Sequence, residues 1–150
     1  MKPKYITTDL ILVTSLDITQ YLKLKHLGGN CYTFKSLFIE TFKGNDNLFY
    51  VNVSKSGDQW STIKEHFSLL ISFLTKLFDN KNVTRKKFKK IDFDLGFDAG
   101  DEMPCNGFCI PSSFLSKIAA LSATITITVY PYDEWNVIIL NESPSKKKLR

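Results

Sequence analysis

Cysteine and histidine are scarce in this chain, at three and two of 150 residues, and their scarcity narrows the chemistry available to it. An odd number of cysteines cannot all pair, and the opening Met1-Lys2-Pro3-Lys4 carries no signal-peptide pattern, so a reduced, cytoplasmic setting is expected. Long apolar runs are also missing. The richest stretch, Phe67 to Phe78, is interrupted by Ser68, Ser72, Thr75 and Lys76. It falls short of the roughly 20 apolar residues a membrane helix needs, and no membrane association is expected.

What is present describes an ordinary globular protein. Hydrophobic residues make up 43% and aromatic residues 13%, enough to bury a core without staples. One domain is expected over residues 1–140, followed by a disordered basic tail over 141–150. The net charge of +5 suggests nucleic acid, but Lys146, Lys147, Lys148 and Arg150 in that tail supply most of it. Within the body, a basic run of Lys81, Arg85, Lys86, Lys87, Lys89 and Lys90 is followed at once by Asp92, Asp94, Asp98, Asp101 and Glu102. The two blocks nearly cancel, as on a solvated face or loop.

Periodicity places the elements. Tyr5 to Leu16 reads as a first strand with apolar residues on both faces. Asp17 can cap a short helix to about Leu27, with Gly28-Gly29-Asn30 as its stop. Cys31 to Phe42 and Leu48 to Val53 read as paired strands joined by a turn at Gly44-Asn45-Asp46-Asn47. A long amphipathic helix follows from Trp60, with a capping box of Thr62 and Glu65 and a buried stripe of Ile63, Phe67, Leu70, Ile71, Leu74, Leu77 and Phe78. From Phe88 to Phe97 the residues alternate, with Lys90, Asp92 and Asp94 on one parity and Ile91, Phe93 and Leu95 on the other.

Cys109 to Tyr130 is the clearest stretch. Pro111 suits a helix entry, Ser112 or Ser113 can cap it, and Phe114, Leu115, Ile118 and Leu121 recur at helical spacing. Thr124 to Tyr130 then alternates threonines with Ile125, Ile127 and Val129, as in a strand with one wet face. An irregular loop is expected over 98–107 and a short edge strand over Trp135 to Leu140. The order strand, helix, two strands, long helix, strand, helix, strand argues for an α+β fold: a mostly antiparallel sheet with about three helices packed on one face.

Several of these segments together resemble a family of small bacterial α+β domains of unknown function. They are the Asp-Ile-Thr at Asp17, the Gly-Asp-Gln-Trp turn at Gly57 to Trp60, the Ile-Lys-Glu-His-Phe helix from Ile63, and Ile-Pro-Ser-Ser-Phe-Leu-Ser-Lys-Ile-Ala-Ala-Leu before a strand ending in Tyr130. The resemblance spans about residues 8 to 131. It implies a cytosolic protein of a kind found as immunity proteins beside polymorphic toxins, and it brings no catalytic residues.

Sites for chemistry are few. Cys105 and Cys109 stand four apart, and with Cys31, His26 and His66 they would have to complete a zinc site without the second cysteine knuckle such sites use, so no metal is expected. The acidic cluster lacks calcium-loop spacing. Gly28-Gly29 lacks the rest of a phosphate-cradling motif, and no cofactor is expected. His66 reads as a half-exposed helix residue, and His26 as a helix-end residue facing the dipole. Most of the aromatics between Cys31 and Val53 read as core.

The expectation is therefore a non-enzymatic binding protein of immunity type, which neutralises a toxin by occluding it. Asp92, Asp94, Asp98, Asp101 and Glu102 are the candidate contact residues, because toxins acting on nucleic acid carry basic clefts. The alternative is a nucleic-acid-binding module using the basic run and the basic tail. Oligomeric state is left open.

Overall fold

The alternation that predicts a half-buried strand near residue 124 recurs along most of the chain, and in the computed structural model it builds one seven-stranded sheet. The structure describes residues 4–55, 63–98 and 109–130. Its strands are β1 (Lys4–Thr14), β2 (Lys25–Gly28), β3 (Cys31–Phe34), β4 (Leu37–Lys43), β5 (Phe49–Lys55), β6 (Phe88–Asp98) and β7 (Thr124–Tyr130). Two α-helices, α1 (Ile63–Phe78) and α2 (Ser112–Ala120), complete the α+β fold. The spatial order is β2-β3-β4-β5-β1-β6-β7, antiparallel throughout except for β6 and β7. That parallel pair follows from the intervening α2, since parallel neighbours need a crossover.

One face of the sheet is buried. Leu10 and Leu12 of β1, Ile39 of β4, Val51 and Val53 of β5, and Ile91, Phe93 and Leu95 of β6 are all nearly inaccessible. Phe67, Leu70, Leu74 and Leu77 of α1 lie over them. Phe67 stacks on Phe93 at 5.2 Å and on Phe114 of α2 at 5.6 Å, so both helices cover the same face. Each fully buried side chain of this size contributes roughly 1.5–3 kcal/mol. The register then fixes the opposite face: every second residue of β4, β5, β1 and β6 points away from the helices.

Three expectations are corrected. The helix over Asp17 to Leu27 does not form: a 3-10 turn at Ile18–Gln20 is followed by β2. Asp17 does cap, accepting the Thr19 amide. The chain then turns outward, and Gly28 and Gly29, at φ 129° and 55°, make a tight turn into β3 instead of a helix stop. Two α-helices are therefore present among the described residues, not three. Second, the strand over Cys31 to Phe42 is two strands, broken by a two-residue turn at Lys35-Ser36 in which Lys35 takes φ 56°. Nothing in Phe-Lys-Ser-Leu signals that turn, because glycine or asparagine is the usual occupant of a left-handed position. Third, Pro111 and not a serine occupies the N-cap of α2, with no side-chain cap.

The turn at Gly44 to Asn47, α2, β6 and β7 stand where the periodicity predicts them, within a residue or two at their ends, and α1 runs through its predicted stripe to Phe78, the expected start at Trp60 lying outside the described residues. Residues 57–62, the Gly57 to Trp60 turn and Thr62 cap among them, lie outside the described residues, as do 99–108, the Trp135 to Leu140 segment and the tail over 141–150. Among the described residues no helix is long and apolar enough to cross a membrane.

Candidate functional site

The sheet face turned away from the helices carries a set of side chains that the strand registers place in rows. Glu40 pairs with Asn52, Asn52 with Ile11, Ile11 with Asp92 and Asp92 with Thr124, a row across five strands. Phe42, Tyr50, Val13 and Lys90 make the next row on one side. Asp9, Asp94 and Thr126 make part of the row on the other. The face is thus apolar and aromatic toward β4 and β5, and acidic toward β1 and β6.

At the aromatic end Phe42 is 58% exposed and stacks on Tyr50, with ring centroids 5.5 Å apart and planes 16° from parallel. Tyr50 is anchored from the turn below it, where its hydroxyl donates to Asp46 Oδ2 at 2.5 Å. That bond holds the Asp46 carboxyl below the usual carboxylate range and pushes the Tyr50 phenol up. Gly44 is required here: a Cβ would stand 2.7 Å from the Tyr50 ring. Phe42, Tyr50, Ile11, Glu40, Asn52 and Asn30 surround a depression of about 480 Å³. It is apolar at the base with a carboxylate and two amides at the rim.

At the acidic end, two strands cooperate. Asp92 Oδ1 accepts hydrogen bonds from Thr124 Oγ1 at 2.6 Å and Thr126 Oγ1 at 2.9 Å, and Asp94 Oδ1 accepts one from Thr128 Oγ1 at 3.0 Å. Each carboxylate reaches toward the threonine two residues further along the parallel neighbour. Those hydroxyls let Asp92 sit at 2% exposure, since a buried carboxylate without donors is very costly. Asp9 lies directly opposite Asp94. Burial first, and then the Asp94 charge, push the Asp9 carboxyl above its ordinary value, against a smaller opposing effect of the Thr7 hydroxyl.

The expected contact residues thus fare differently. Asp92 and Asp94 share one face of β6, with Asp92 buried and bonded and Asp94 half-buried. Asp98 ends β6, its backbone paired between Lys4 and Tyr130. Asp101 and Glu102 lie outside the described residues. The β7 threonines, expected to be merely wet, are the donors that hold Asp92 and Asp94.

Sequence reading missed Asp9, Glu40, Phe42, Tyr50 and Asn52 as one surface. The signal was there in the parity of Leu37 to Lys43, where Leu37, Ile39 and Thr41 are buried while Glu40 and Phe42 are exposed. Assigning most aromatics to the core obscured it.

Other candidates resolve away from this face. Among the described residues no three metal-ligating side chains gather. Cys109 is exposed, Cys31 is half-buried and Cys105 lies outside the described residues. His26 is in β2 and not at a helix end, stacked on Tyr32 at 4.8 Å. His66 is buried, not half-exposed: its Nδ1 accepts the Thr8 amide at 3.2 Å, just beyond the last β1–β5 pair, Leu10 with Val53. The basic run is also divided. Arg85 turns inward, donating to the carbonyls of Leu121, Ser122 and Phe88 at 2.5, 2.8 and 2.7 Å. Lys81, Lys86, Lys87, Lys89 and Lys90 stay exposed.

No protein-family model matches the chain, and no curated protein or solved structure matches it.

Proposed function

We propose that the protein is a non-enzymatic binding protein of immunity type, bacterial as the family resemblance implies, that occludes a toxin through the open sheet face. The observation that carries this reading is the exposed Phe42–Tyr50 stack beside the depression rimmed by Glu40, in one continuous surface with Asp9 and Asp94. An arginine or lysine of the partner fits that depression. Its aliphatic stem lies on Ile11 and Phe42, its cation meets the Glu40 carboxylate, and the aromatic faces add a cation–π contribution. Asp94 and Asp9 carry the negative potential onward to β6, and a basic cleft is the complement that speeds association with such a surface. Asp98, Asp101 and Glu102 extend the acidic set along the chain, while Asp92 serves it from beneath by ordering the β7 threonines.

The test is to look for a toxin-type protein encoded beside this one and to measure binding to it by calorimetry and protection against it by survival of expressing cells; the lack of such a neighbour would count against the reading. Phe42→Ala, Glu40→Lys and Asp94→Lys should each weaken binding at least tenfold without lowering the unfolding temperature. If the triple variant binds and protects as the parent does, this face is not the contact. The competing nucleic-acid reading rests on the exposed lysines of the basic run. An affinity for RNA or DNA that falls steeply with salt, and that disappears on neutralising Lys86, Lys87, Lys89 and Lys90, would replace the immunity reading.

A further inference from the structure

On the other side of the molecule, the outer face of α1 has an unusual setting. Serines, threonines and lysines on the exposed face of an amphipathic helix are ordinary in themselves. Here Ser68, Ser72 and Thr75, themselves exposed, line a cavity of about 470 Å³ together with Phe114 and Lys117 of α2 and with Phe34 and Lys35 at the β3–β4 turn. Three lysines from three elements line it: Lys35 from the turn, Lys76 from α1 and Lys117 from α2. Asp79 is the one carboxylate in the lining among the described residues. With three lysines against one carboxylate in its lining, the cavity has an anion as its counterpart.

Two features mark the site as more than a polar groove. Lys35 holds a left-handed backbone at φ 56°, a conformation that favours glycine, and strain of that kind concentrates at ligand clamps. Its Nζ lies 5.6 Å from the centroid of the Phe34 ring, which also lines the cavity. A second space of about 320 Å³ lies next to it between the helices, with Ile71, Thr75, Asp79 and Lys117 lining both. The rest of the lining of that second space is apolar: Leu74, Phe78, Ala120 and Leu121. A lysine-lined cavity beside a mostly apolar one suits a ligand with two unlike ends.

We infer that this cavity binds an amphiphilic anion, with a phosphate or carboxylate head among Lys35, Lys76 and Lys117 and an apolar chain along the α1–α2 groove. The site lies on the helical side, so it stands or falls independently of the open sheet face.

The experiment is calorimetric titration with three probes, each below its aggregation concentration: decyl phosphate, inorganic phosphate and decanol. Decyl phosphate should bind one to one, at least tenfold tighter than either the head alone or the chain alone. Replacing Lys35, Lys76 and Lys117 together by glutamine should weaken it at least tenfold while the unfolding temperature holds. Should the triple variant not fold, Lys117→Gln alone and a salt titration of the parent serve instead, each expected to weaken decyl phosphate severalfold. Absence of saturable binding, equal binding of decanol, or indifference to the lysine replacements and to salt would overturn the inference. A parallel arm with phosphatidylglycerol vesicles separates the sources. Vesicle capture competed by decyl phosphate identifies a lipid headgroup, and binding of decyl phosphate without vesicle capture identifies a free amphiphile.

Discussion

At the scale of single residues, two side chains carry more than their neighbours. Asp9 faces Asp94 across the β1–β6 pair, and its carboxyl is pushed above its unfolded value of 3.8 by burial and by that charge. The folded protein therefore holds the Asp9 proton more tightly than the unfolded chain. The stability this contributes is fully present below pH 3.8 and is lost as pH rises through the folded value, so ionised Asp9 is a burden at pH 7. Asp9→Asn should raise stability at pH 7 by about 0.2–1 kcal/mol, the usual scale for removing like charges directly opposite in a sheet. The gain should shrink as denaturant midpoints are measured at falling pH, and a gain undiminished near pH 4 would contradict the assignment. Arg85 works in the other direction. Its guanidinium donates to two carbonyls at the end of α2 and one at the start of β6, tying the two elements together. Arg85→Ala should cost about 2 kcal/mol in urea unfolding. Arg85→Lys should recover less than half, since a point ammonium cannot span three carbonyls.

Among the elements, the turns are the most exposed to test. The α2 end is a Schellman turn in which the Ala123 amide bonds the Ile118 carbonyl and the Ser122 amide that of Ala119, with Ser122 at φ 52°. Glycine is favoured there, and Ser122→Gly should stabilise by about 0.5–1 kcal/mol. Gly44→Ala should do the reverse, costing about 1–3 kcal/mol, because the added Cβ would press on the Tyr50 ring and the Asp46 carboxylate. It should also weaken binding at the open face, since the ring it displaces is half of the Phe42–Tyr50 stack. Elements with strong periodicity, α1, α2 and β6, were legible in the sequence because each buries one face against a single partner layer; β7 was legible from its alternation, although Ile127 and Val129 stay exposed. The β2–β3–β4 region was not, for two physical reasons. Asp17 caps a 3-10 turn as readily as a helix, and Lys35 occupies a left-handed turn position with no residue type to announce it. The site was half legible. Asp92 and Asp94 could be placed on one parity, but their fates depend on Thr124, Thr126 and Thr128, more than thirty residues away, and no local pattern encodes that pairing.

For the whole molecule, the question is how far its stability is shared. Phe67 lies at the junction of all the layers, stacked on Phe93 of the sheet and on Phe114 of α2, and is fully buried. Phe67→Ala should cost about 3–5 kcal/mol, a large part of the roughly 5–15 kcal/mol that holds a domain of this size. The edge is built differently. All four residues of β2 are exposed and, among the described residues, β2 pairs only with β3, so little apolar burial holds that strand. Central β1 is hydrogen-bonded on both sides, to β5 and β6, with Leu10 and Leu12 buried beneath α1. Amide hydrogen exchange should therefore divide into two classes: slow amides in β1, β5 and β6 that exchange by global opening, and fast amides in β2 and β3 that exchange by local fraying. In Phe67→Ala the slow class should accelerate by the factor that the loss of global stability dictates, while the fast class keeps its parent rates. If β2 and β3 accelerate with the centre, the edge belongs to the same cooperative unit. If β1 keeps its parent rates, the Phe93–Phe67–Phe114 stack does not couple the helices to the sheet.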